Sequence, residues 1–439
     1  MTRAGGARAF VLGGGVAGLG AAFGLADRGF EVTLLESRGW LGGRAFAFTD
    51  RNSGRRLDNG PHVMLGCYRA TRALLARLGT DGLFRADRRL AMSYRREGGG
   101  LLRLALPALP VPLAMPIGLC RLGLPLGATL RALYGTASSL LGARAGASVA
   151  DWLAARRQLG EPADVLWQPL CRAIMNVEPG EAAARDFLAT LREAFAGRAA
   201  SAAFWLPKAT WSEIFGDPAP AALARVGAAV RTGARVAAFE PGGDRIAAIE
   251  LAHGERIAVG ERDLVVSAMP WTALGRLVPG LPASSLRGAP IVTAHVALAE
   301  DVPVLPDDGA VTALVRGAPF HFVLRTPGAL PRHFALLAGG NRDFDGMKVD
   351  AIEAAARDQL ARYYPGFDRK TDATVRISKE NAATFVAAPG SRALRPQPGR
   401  LPGGPTNLLV CGDWTDTGLP ATLEGAARSA ETMLRSVPT

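Results

Sequence analysis

The sequence predicts a two-domain α/β protein whose first domain is assembled from both ends of the chain. At the amino-terminal end, an apolar run at 9–12, a glycine-rich turn, a helical stretch near 16–28 and a β-prone run at 30–35 indicate a strand–helix–strand unit. At the other end, residues 407–439 predict a strand, a loop and a final helix. A chain of 439 residues is long enough for two domains with separate cores.

The middle of the chain mixes helical and β-prone stretches. Residues 67–79 have a helical pattern that ends at Gly79, a residue suited to a helix C-terminus. Residues 148–198 are rich in Ala, Leu and Trp and predict several helices. The remaining predicted elements are strands at 234–239, 245–251, 263–268, Ile291–Leu298 and Phe320–Leu324, and a helix at 348–363.

The composition excludes several classes of protein. With 49% hydrophobic and 21% charged residues, the chain has enough apolar side chains for a real core and is not of the disordered type. Its four cysteines are far apart and form no CxxC pair, which argues against a disulfide framework and fits the reducing cytoplasm. The five histidines show no metal-ligand spacing, so no metal site is predicted.

The net charge of +12 favours an anionic partner. The arginines are scattered and no nucleic-acid motif accompanies them, so a nucleic acid is not expected as the partner. Attraction to an anionic membrane surface is the favoured interpretation. A membrane-spanning helix is not predicted, because the apolar stretch 104–120 contains four prolines. The apolar amino terminus lacks the cleavage site of a signal peptide.

A glycine-rich turn joins the first predicted strand to the first helix. Gly13–Gly18 has the spacing G-x-G-x-x-G, in which the glycines allow a tight turn, the approach of a pyrophosphate and close helix packing. The helix N-terminus adds free N–H groups and a positive dipole end. An acidic residue closes the second strand, where its carboxylate can accept both ribose hydroxyls. The predicted dinucleotide contacts of this unit are Gly13, Gly15, Val16, Ala17, Gly18, Glu36 and Ser37.

A second motif, Gly42-Gly43-Arg44, follows shortly after the acidic end of the second strand. Taken alone, it is also compatible with an ordinary glycine turn and a solvated arginine. In this position it resembles the G-G-R signature of the flavin amine oxidase and carotenoid desaturase superfamily. The resemblance implies that Gly42, Gly43 and Arg44 support the phosphates of FAD rather than of NAD. It also implies a discontinuous Rossmann-like, glutathione-reductase-like FAD-binding domain with a mixed α+β substrate domain.

A third motif, Asp58-Asn59-Gly60-Pro61-His62, is followed by Tyr68. An Asx-type turn explains this sequence without any ligand, since Asp, Asn, Gly and Pro all favour turns. In the superfamily that the chain resembles, this loop passes close to the flavin ring. The resemblance therefore makes Gly60, Pro61 and His62 flavin contacts, and His62 a candidate proton donor.

The fourth motif is Gly412–Gly425, after the last predicted strand. In the superfamily, the Gly-Asp pair reaches the ribityl chain, and the following helix directs its N-terminus at the pyrimidine end of the flavin. A plain helix start with Thr422 as its cap is compatible with the same residues. The residues implied as FAD contacts here are Gly412, Asp413, Pro420, Ala421, Thr422 and Leu423, with Val236 near the adenine from a separate β-prone run.

The third and fourth motifs together are most similar to the hydroxysqualene dehydroxylase family of bacterial hopanoid biosynthesis. This resemblance covers nearly the whole chain and implies reduction of hydroxysqualene, a lipophilic isoprenoid, to squalene by reduced FAD. An acid would protonate the hydroxyl so that it leaves as water. The candidate acids are Asp58, His62, Tyr68 and Glu424, of which His62 is favoured.

The domain boundaries follow from the need to bring these motifs to one flavin. The FAD-binding domain is expected to combine 1–88, 200–275 and 395–439, and the substrate domain 89–199 and 276–394. Within the latter, residues 101–145 carry Arg103, Arg121 and Arg131 among apolar residues. This segment is either a helical cap over the core or an interfacial segment through which a lipid substrate enters from the inner face of the membrane.

Two alternatives stay open at this point. The same scaffold could serve an oxidative enzyme, such as a carotenoid desaturase or an amine oxidase. It could also serve a non-catalytic flavoprotein that binds upstream squalene-pathway enzymes at the membrane. The direction of electron flow separates the first alternative from the reductive reaction, and turnover by the purified protein separates the second.

Overall fold

The computed structural model describes residues 6–306, 308–325 and 332–437, so the predicted domain limits at 1 and 439 lie outside the described residues. The strands, in chain order, are β1 (Arg8–Leu12), β2 (Glu31–Leu35), β3 (Ala47–Thr49), β4 (Arg56–Asp58), β5 (Met64–Leu65), β6 (Phe84–Ala86), β7 (Ala91–Arg95), β8 (Leu101–Ala105), β9 (Phe204–Pro207), β10 (Ala229–Arg231), β11 (Val236–Gly242), β12 (Arg245–Leu251), β13 (Arg256–Ala258), β14 (Leu264–Ser267), β15 (Gly288–Leu298), β16 (Val311–Leu314), β17 (Phe322–Leu324), β18 (His333–Gly339), β19 (Ala373–Phe385), β20 (Gly399–Arg400) and β21 (Leu408–Val410). The α-helices are α1 (Val16–Ala26), α2 (Arg69–Leu78), α3 (Val111–Cys120), α4 (Leu126–Ser138), α5 (Val149–Ala155), α6 (Gln168–Met175), α7 (Ala184–Phe195), α8 (Ala199–Ala202), α9 (Ala219–Ala224), α10 (Trp271–Leu277), α11 (Val349–Tyr363) and α12 (Leu423–Leu434).

The first sheet brings the two ends of the chain together and confirms the predicted α/β class. Its strand order is β10-β2-β1-β14-β21-β20, and all neighbours except β21 and β20 are parallel. The strand β1 is buried at Ala9 to Leu12, as expected for a parallel strand covered on both faces. Because β1 and β21 are separated only by β14, the amino- and carboxyl-terminal motifs meet at one edge of this sheet.

The helices α1 and α12 pack closely against each other beside this sheet. A Cβ atom at Gly24 would lie 2.1 Å from the Cδ1 of Leu434, and one at Gly20 would lie 3.1 Å from the Cβ of Ala430. Only glycine leaves room for this approach. The glycines of α1 therefore allow the close contact between the first and last helices of the domain.

The second sheet has the strand order β19-β15-β18-β17-β16-β7-β8. Its strands come from the ranges 91–105 and 288–385, which belong to the predicted substrate domain. The sheet is antiparallel except at β16 and β7, and α11 covers a cluster of its buried side chains. Smaller sheets pair β3 with β4, place β9 between β5 and β6, and place β12 between β11 and β13.

The structure corrects the description of the segment 101–145. Its first residues, Leu101–Ala105, form strand β8 and pair antiparallel with β7. The high leucine and proline content of the segment obscures the β pattern of this strand. Its partner β7 precedes it in the chain and has no obvious β pattern either. The rest of the segment contains α3 and α4, with Pro116 inside α3. Within the described part of the chain, no helix has the length and apolar character that crossing a bilayer requires.

Candidate functional site

The glycine-rich turn leaves an open space in front of its backbone. Gly13 has φ +104°, and its N–H donates to the carbonyl of Leu35 at 2.8 Å. A Cβ at Gly18 would lie 1.8 Å from the oxygen of Gly13, so this glycine is required by packing. A Cβ at Gly15 would meet, among the described residues, only the Cα of Gly43 at 3.7 Å. The space that this Cβ would enter fits a pyrophosphate at the N-terminus of α1.

Glu36 lies at the end of β2 and is only 6% exposed. One carboxylate oxygen accepts the N–H of Gly14 at 2.7 Å, and the other accepts the N–H of Arg38 at 2.8 Å and the hydroxyl of Ser37 at 3.1 Å. A carboxylate offers roughly four acceptor positions, so capacity for a ribose hydroxyl remains. The N–H of Ala234 donates to the Glu36 carbonyl, which places Val236 nearby at the start of β11.

The second and fourth motifs, from opposite ends of the chain, meet in one salt bridge. A guanidinium nitrogen of Arg44 lies 2.7 Å from the carboxylate of Asp413, and its other terminal nitrogen donates to the carbonyl of Ala383 at 2.6 Å. The N–H of Gly42 donates to the carbonyl of Gly14, which ties the second motif to the first. The residues predicted to contact FAD, which come from both ends of the chain, therefore lie around the same part of the molecule.

The carboxyl-terminal loop is fixed by contacts on both sides. The hydroxyl of Thr422 accepts the N–H of Gly425 at 2.9 Å, which caps α12 after Pro420 and Ala421. The N–H of Gly412 donates to the hydroxyl of Ser429 at 2.7 Å. Leu423 is the first residue of the helix, whose N-terminus carries the positive dipole end that the sequence predicts near the flavin.

A buried arginine that the sequence did not single out shapes the same loop. Arg395 is 5% exposed and donates to the carbonyls of Trp414 at 3.1 Å and Leu419 at 2.8 Å. Its guanidinium also lies over the ring of Phe385, 4.5 Å from the centroid. Scattered arginines are common in this sequence, so no local pattern distinguished this one.

Glu424 is held by the N-terminus of a different helix. Its buried carboxylate accepts the N–H groups of Ala70 at 3.1 Å and Thr71 at 3.0 Å, in the first turn of α2. The Thr71 hydroxyl and the Arg428 guanidinium donate to it as well. These contacts give Glu424 a structural task, since the first N–H groups of a helix have no partners within it. Tyr68 directly precedes the same helix, and burial raises the pKa of its hydroxyl.

Asp58 and His62 both contact Trp211. The N–H of Trp211 donates to the Asp58 carboxylate at 2.8 Å, and its ring centroid lies 5.4 Å from that of His62. Burial raises the pKa of Asp58 to about 7 and lowers that of His62 to about 4. Near neutral pH, Asp58 thus retains a proton in part of the molecules, whereas His62 is neutral. This reverses the sequence-based preference for His62 as the acid.

A cavity of about 390 Å³ lies next to this loop. Among its lining residues are Asp58 and Pro61 from the motif, and His295 and His333 from β15 and β18. The two histidines were not predicted as site residues. A signal was present, since His295 interrupts the otherwise apolar run Ile291–Leu298, but only the fold shows that this position faces Asp58.

Comparison with known proteins agrees with this geometry. A family model described as flavin-containing amine oxidoreductase matches residues 16–433. The hydroxysqualene dehydroxylase of Rhodopseudomonas palustris is 31% identical, and that of Sinorhizobium fredii is 28% identical, each over 95% of both chains. A solved oxidoreductase from Methanosarcina mazei has a TM-score of 0.74 at 16% identity, covering 98% of this chain and 100% of that one.

Proposed function

Because the chain belongs to the flavin-containing amine oxidoreductase family, we propose that it is an FAD-dependent enzyme that reduces hydroxysqualene to squalene. The observation that carries this proposal is the near-complete coverage of hydroxysqualene dehydroxylases by a chain whose second and fourth motifs meet at Arg44 and Asp413. The carotenoid desaturases match less of the chain: zeta-carotene desaturase of Zea mays aligns with 16% of it, and 15-cis-phytoene desaturase of Glycine max with 65% of it at 25% identity.

The residues present fit FAD. The space at Gly15 and Gly43 accommodates the pyrophosphate, and the Glu36 carboxylate has acceptor capacity for the ribose. Asp413, oriented by Arg44, is available to the ribityl chain, and the N-terminus of α12 favours negative charge on the reduced ring. Reduced FAD, when bound, supplies the electron pair and the hydrogen that replace the hydroxyl group of the substrate.

Asp58 supplies the acid in this proposal. A protonated carboxyl group transfers its proton to the hydroxyl oxygen of the substrate, the carbon–oxygen bond breaks, and water leaves. Desolvation raises the pKa of Asp58 to about 7, so part of the molecules carry this proton near neutral pH. His62 is a neutral ring in contact with Trp211 and would be available to FAD when the cofactor is bound.

The direction of electron flow tests the proposal. Anaerobic mixing of the reduced holoenzyme with hydroxysqualene should restore the absorbance of oxidised flavin and form one squalene per flavin. A carotenoid desaturase or an amine oxidase gives the opposite sign, because its substrate bleaches oxidised flavin. Phytoene and an amine are therefore mixed with oxidised enzyme in parallel. Bleaching by either of them, without re-oxidation by hydroxysqualene, would refute the proposed reaction.

We also propose that the enzyme binds the inner face of an anionic membrane. The exposed apolar side chains of α4 lie four residues apart at Leu126, Leu130 and Tyr134, which forms one stripe on the helix. Leu140 and Leu141 continue this surface and are 66% and 76% exposed. The segment 101–145 has four arginines and no acidic residue. Apolar and basic side chains together are typical of interfacial segments. Contact with upstream enzymes of squalene synthesis stays a prediction.

Flotation with liposomes tests this membrane contact. Recovery with anionic vesicles should be high at low salt and fall at high salt, because each basic residue near the surface contributes about 1 kcal/mol. Leu130→Ser combined with Leu141→Ser should lower recovery further. Leu159→Ser, at a position 61% exposed outside the segment, is the matched control. Equal recovery with neutral and anionic vesicles would argue against the electrostatic contribution.

A further inference from the structure

We propose that Arg395 holds the carboxyl-terminal loop, residues 411–422 between β21 and α12, in its FAD-binding shape, and that its buried charge favours reduced over oxidised FAD. The loop carries predicted FAD contacts in two groups, at 412–413 and 420–422. The inference goes beyond the proposed reaction, because it concerns the cofactor and not the substrate. It also assigns a task to a buried arginine that belongs to none of the four motifs.

Three hydrogen bonds from one guanidinium close the carboxyl-terminal loop on itself. The Nε of Arg395 donates to the carbonyl of Trp414 at 3.1 Å. Its Nη2 donates to the carbonyls of Thr415 at 2.5 Å and Leu419 at 2.8 Å. The first of these carbonyls directly follows the predicted ribityl contact Asp413, and the last directly precedes the second group of predicted contacts. Because a planar guanidinium presents its donors in a fixed fork, this side chain sets the distance between the two groups.

The end of strand β19 in the second sheet supports this guanidinium. The guanidinium carbon of Arg395 lies 4.5 Å from the ring centroid of Phe385, the last residue of β19. Two residues earlier in the strand, the carbonyl of Ala383 accepts a hydrogen bond from Arg44 at 2.6 Å. Arg44 in turn forms the salt bridge with Asp413. The end of β19 therefore supports both arginines that contact the carboxyl-terminal loop.

The charge of Arg395 is satisfied by carbonyl groups rather than by a carboxylate. All three hydrogen bonds that it makes to described residues go to the backbone. Burial lowers the pKa of the guanidinium, and the charges of Asp416, Asp186 and Asp413 act in the opposite direction. The carboxylate of Asp416 is bound by Arg392 instead, at 2.8 Å. Since an arginine stays protonated in proteins, a positive charge is retained inside the molecule with only partial compensation.

A buried positive charge at this loop favours the reduced form of the cofactor. Uptake of two electrons and one proton gives the flavin ring one negative charge, so a nearby cation stabilises the reduced form more than the oxidised form. The electrostatic interaction of Arg395 with Asp413 shows that its field reaches a predicted FAD contact. The N-terminus of α12, at the end of the same loop, adds a positive dipole end. Both contributions raise the reduction potential and keep FAD reduced until the substrate arrives.

Two variants separate the charge of Arg395 from its hydrogen bonds. Arg395→Lys keeps the charge without the fork, and Arg395→Gln keeps donor groups without the charge. Both should bind oxidised FAD about tenfold more weakly, because neither side chain makes all three hydrogen bonds. Only Arg395→Gln should lose preference for reduced FAD, by about tenfold, which lowers the midpoint potential of a two-electron couple by roughly 30 mV. Arg392→Gln is the control, because it removes a charge from the same segment at a side chain that is 59% exposed.

Redox titration of the flavin absorbance against a reference dye measures the potential without any substrate, so the result is independent of the proposed reaction. A wild-type potential in Arg395→Gln, or an equal decrease in Arg395→Lys and Arg395→Gln, would overturn the electrostatic role. Wild-type FAD affinity in both variants would overturn the positioning role. If Arg395→Gln is purified without FAD, titration of its apoprotein with oxidised and with reduced FAD gives the same preference as the ratio of the two dissociation constants.

Discussion

Asp58→Asn is expected to keep FAD bound and to slow re-oxidation of the reduced enzyme by hydroxysqualene by about 10²–10⁴-fold, the usual contribution of a general acid. The asparagine oxygen can still accept the N–H of Trp211, so the loop should keep its shape. The amide, however, has no proton to transfer to the leaving hydroxyl. Anaerobic stopped-flow spectroscopy at the flavin absorbance band measures this rate in a single turnover.

The pH dependence of the same rate provides a second test of Asp58 as the general acid. The acid form is active, so the wild-type rate should be level below the pKa of about 7 and fall tenfold per pH unit above it. Asp58→Asn should lack this decline. Glu213→Gln removes a negative charge that raises the pKa of Asp58, so this variant should keep the decline but show it at lower pH. A loss below tenfold in Asp58→Asn, with FAD retained, would transfer the role to His62, Tyr68 or Glu424.

Gly15→Val is expected to abolish FAD retention while the apoprotein stays folded. The backbone at Gly15 is extended, with φ −79° and ψ −176°, a conformation that valine adopts readily. Among the described residues, the added Cβ lies no closer than 3.7 Å to any atom of the protein. The side chain should therefore clash with the pyrophosphate that would occupy this space, and not with the protein itself. The flavin content of the purified protein, read from its absorbance, should drop from stoichiometric to near zero.

Gly18→Ala separates loss of the cofactor from loss of the fold. Its Cβ would lie 1.8 Å from the Gly13 oxygen, so this variant should unfold at a lower temperature even without flavin. For Gly15→Val, the melting temperature of the apoprotein should stay close to that of the wild-type apoprotein. Wild-type flavin content in Gly15→Val would contradict the placement of the pyrophosphate. A colourless wild-type protein that cannot be reconstituted with FAD would contradict the flavin site as a whole.

The sequence by itself determined the first and last elements of the FAD-binding half. The predicted strand at 9–12 and helix near 16–28 are found at Arg8–Leu12 and Val16–Ala26, and the final helix begins at Leu423 as predicted. These elements carry short-range signals, namely a hydrophobic period together with glycines at positions fixed by backbone geometry. The motifs at both ends also predicted the family, which the match of the flavin-containing amine oxidoreductase model to residues 16–433 confirms.

The sequence did not determine the strands β7 and β8, which lie in a stretch rich in leucine, proline and arginine. Their pairing partners in the second sheet include β16, more than 200 residues away in the chain. A strand of this kind is stabilised by its neighbours in the sheet more than by its own composition. The local sequence pattern therefore does not predict β7 and β8.

Only the tertiary structure decided which candidate holds the proton. From the sequence, Asp58, His62, Tyr68 and Glu424 are all candidate acids, and His62 is the favoured one. Folding desolvates Asp58 more strongly than the charge of Arg56 stabilises its carboxylate, places the Glu424 carboxylate at the N-terminus of α2, and desolvates His62 so that it is neutral. The pKa of a side chain depends on the solvent and charges within a few ångströms of it, and residues distant in sequence supply these surroundings. The same reason explains why the cavity histidines, contributed by β15 and β18, appeared only in the folded chain.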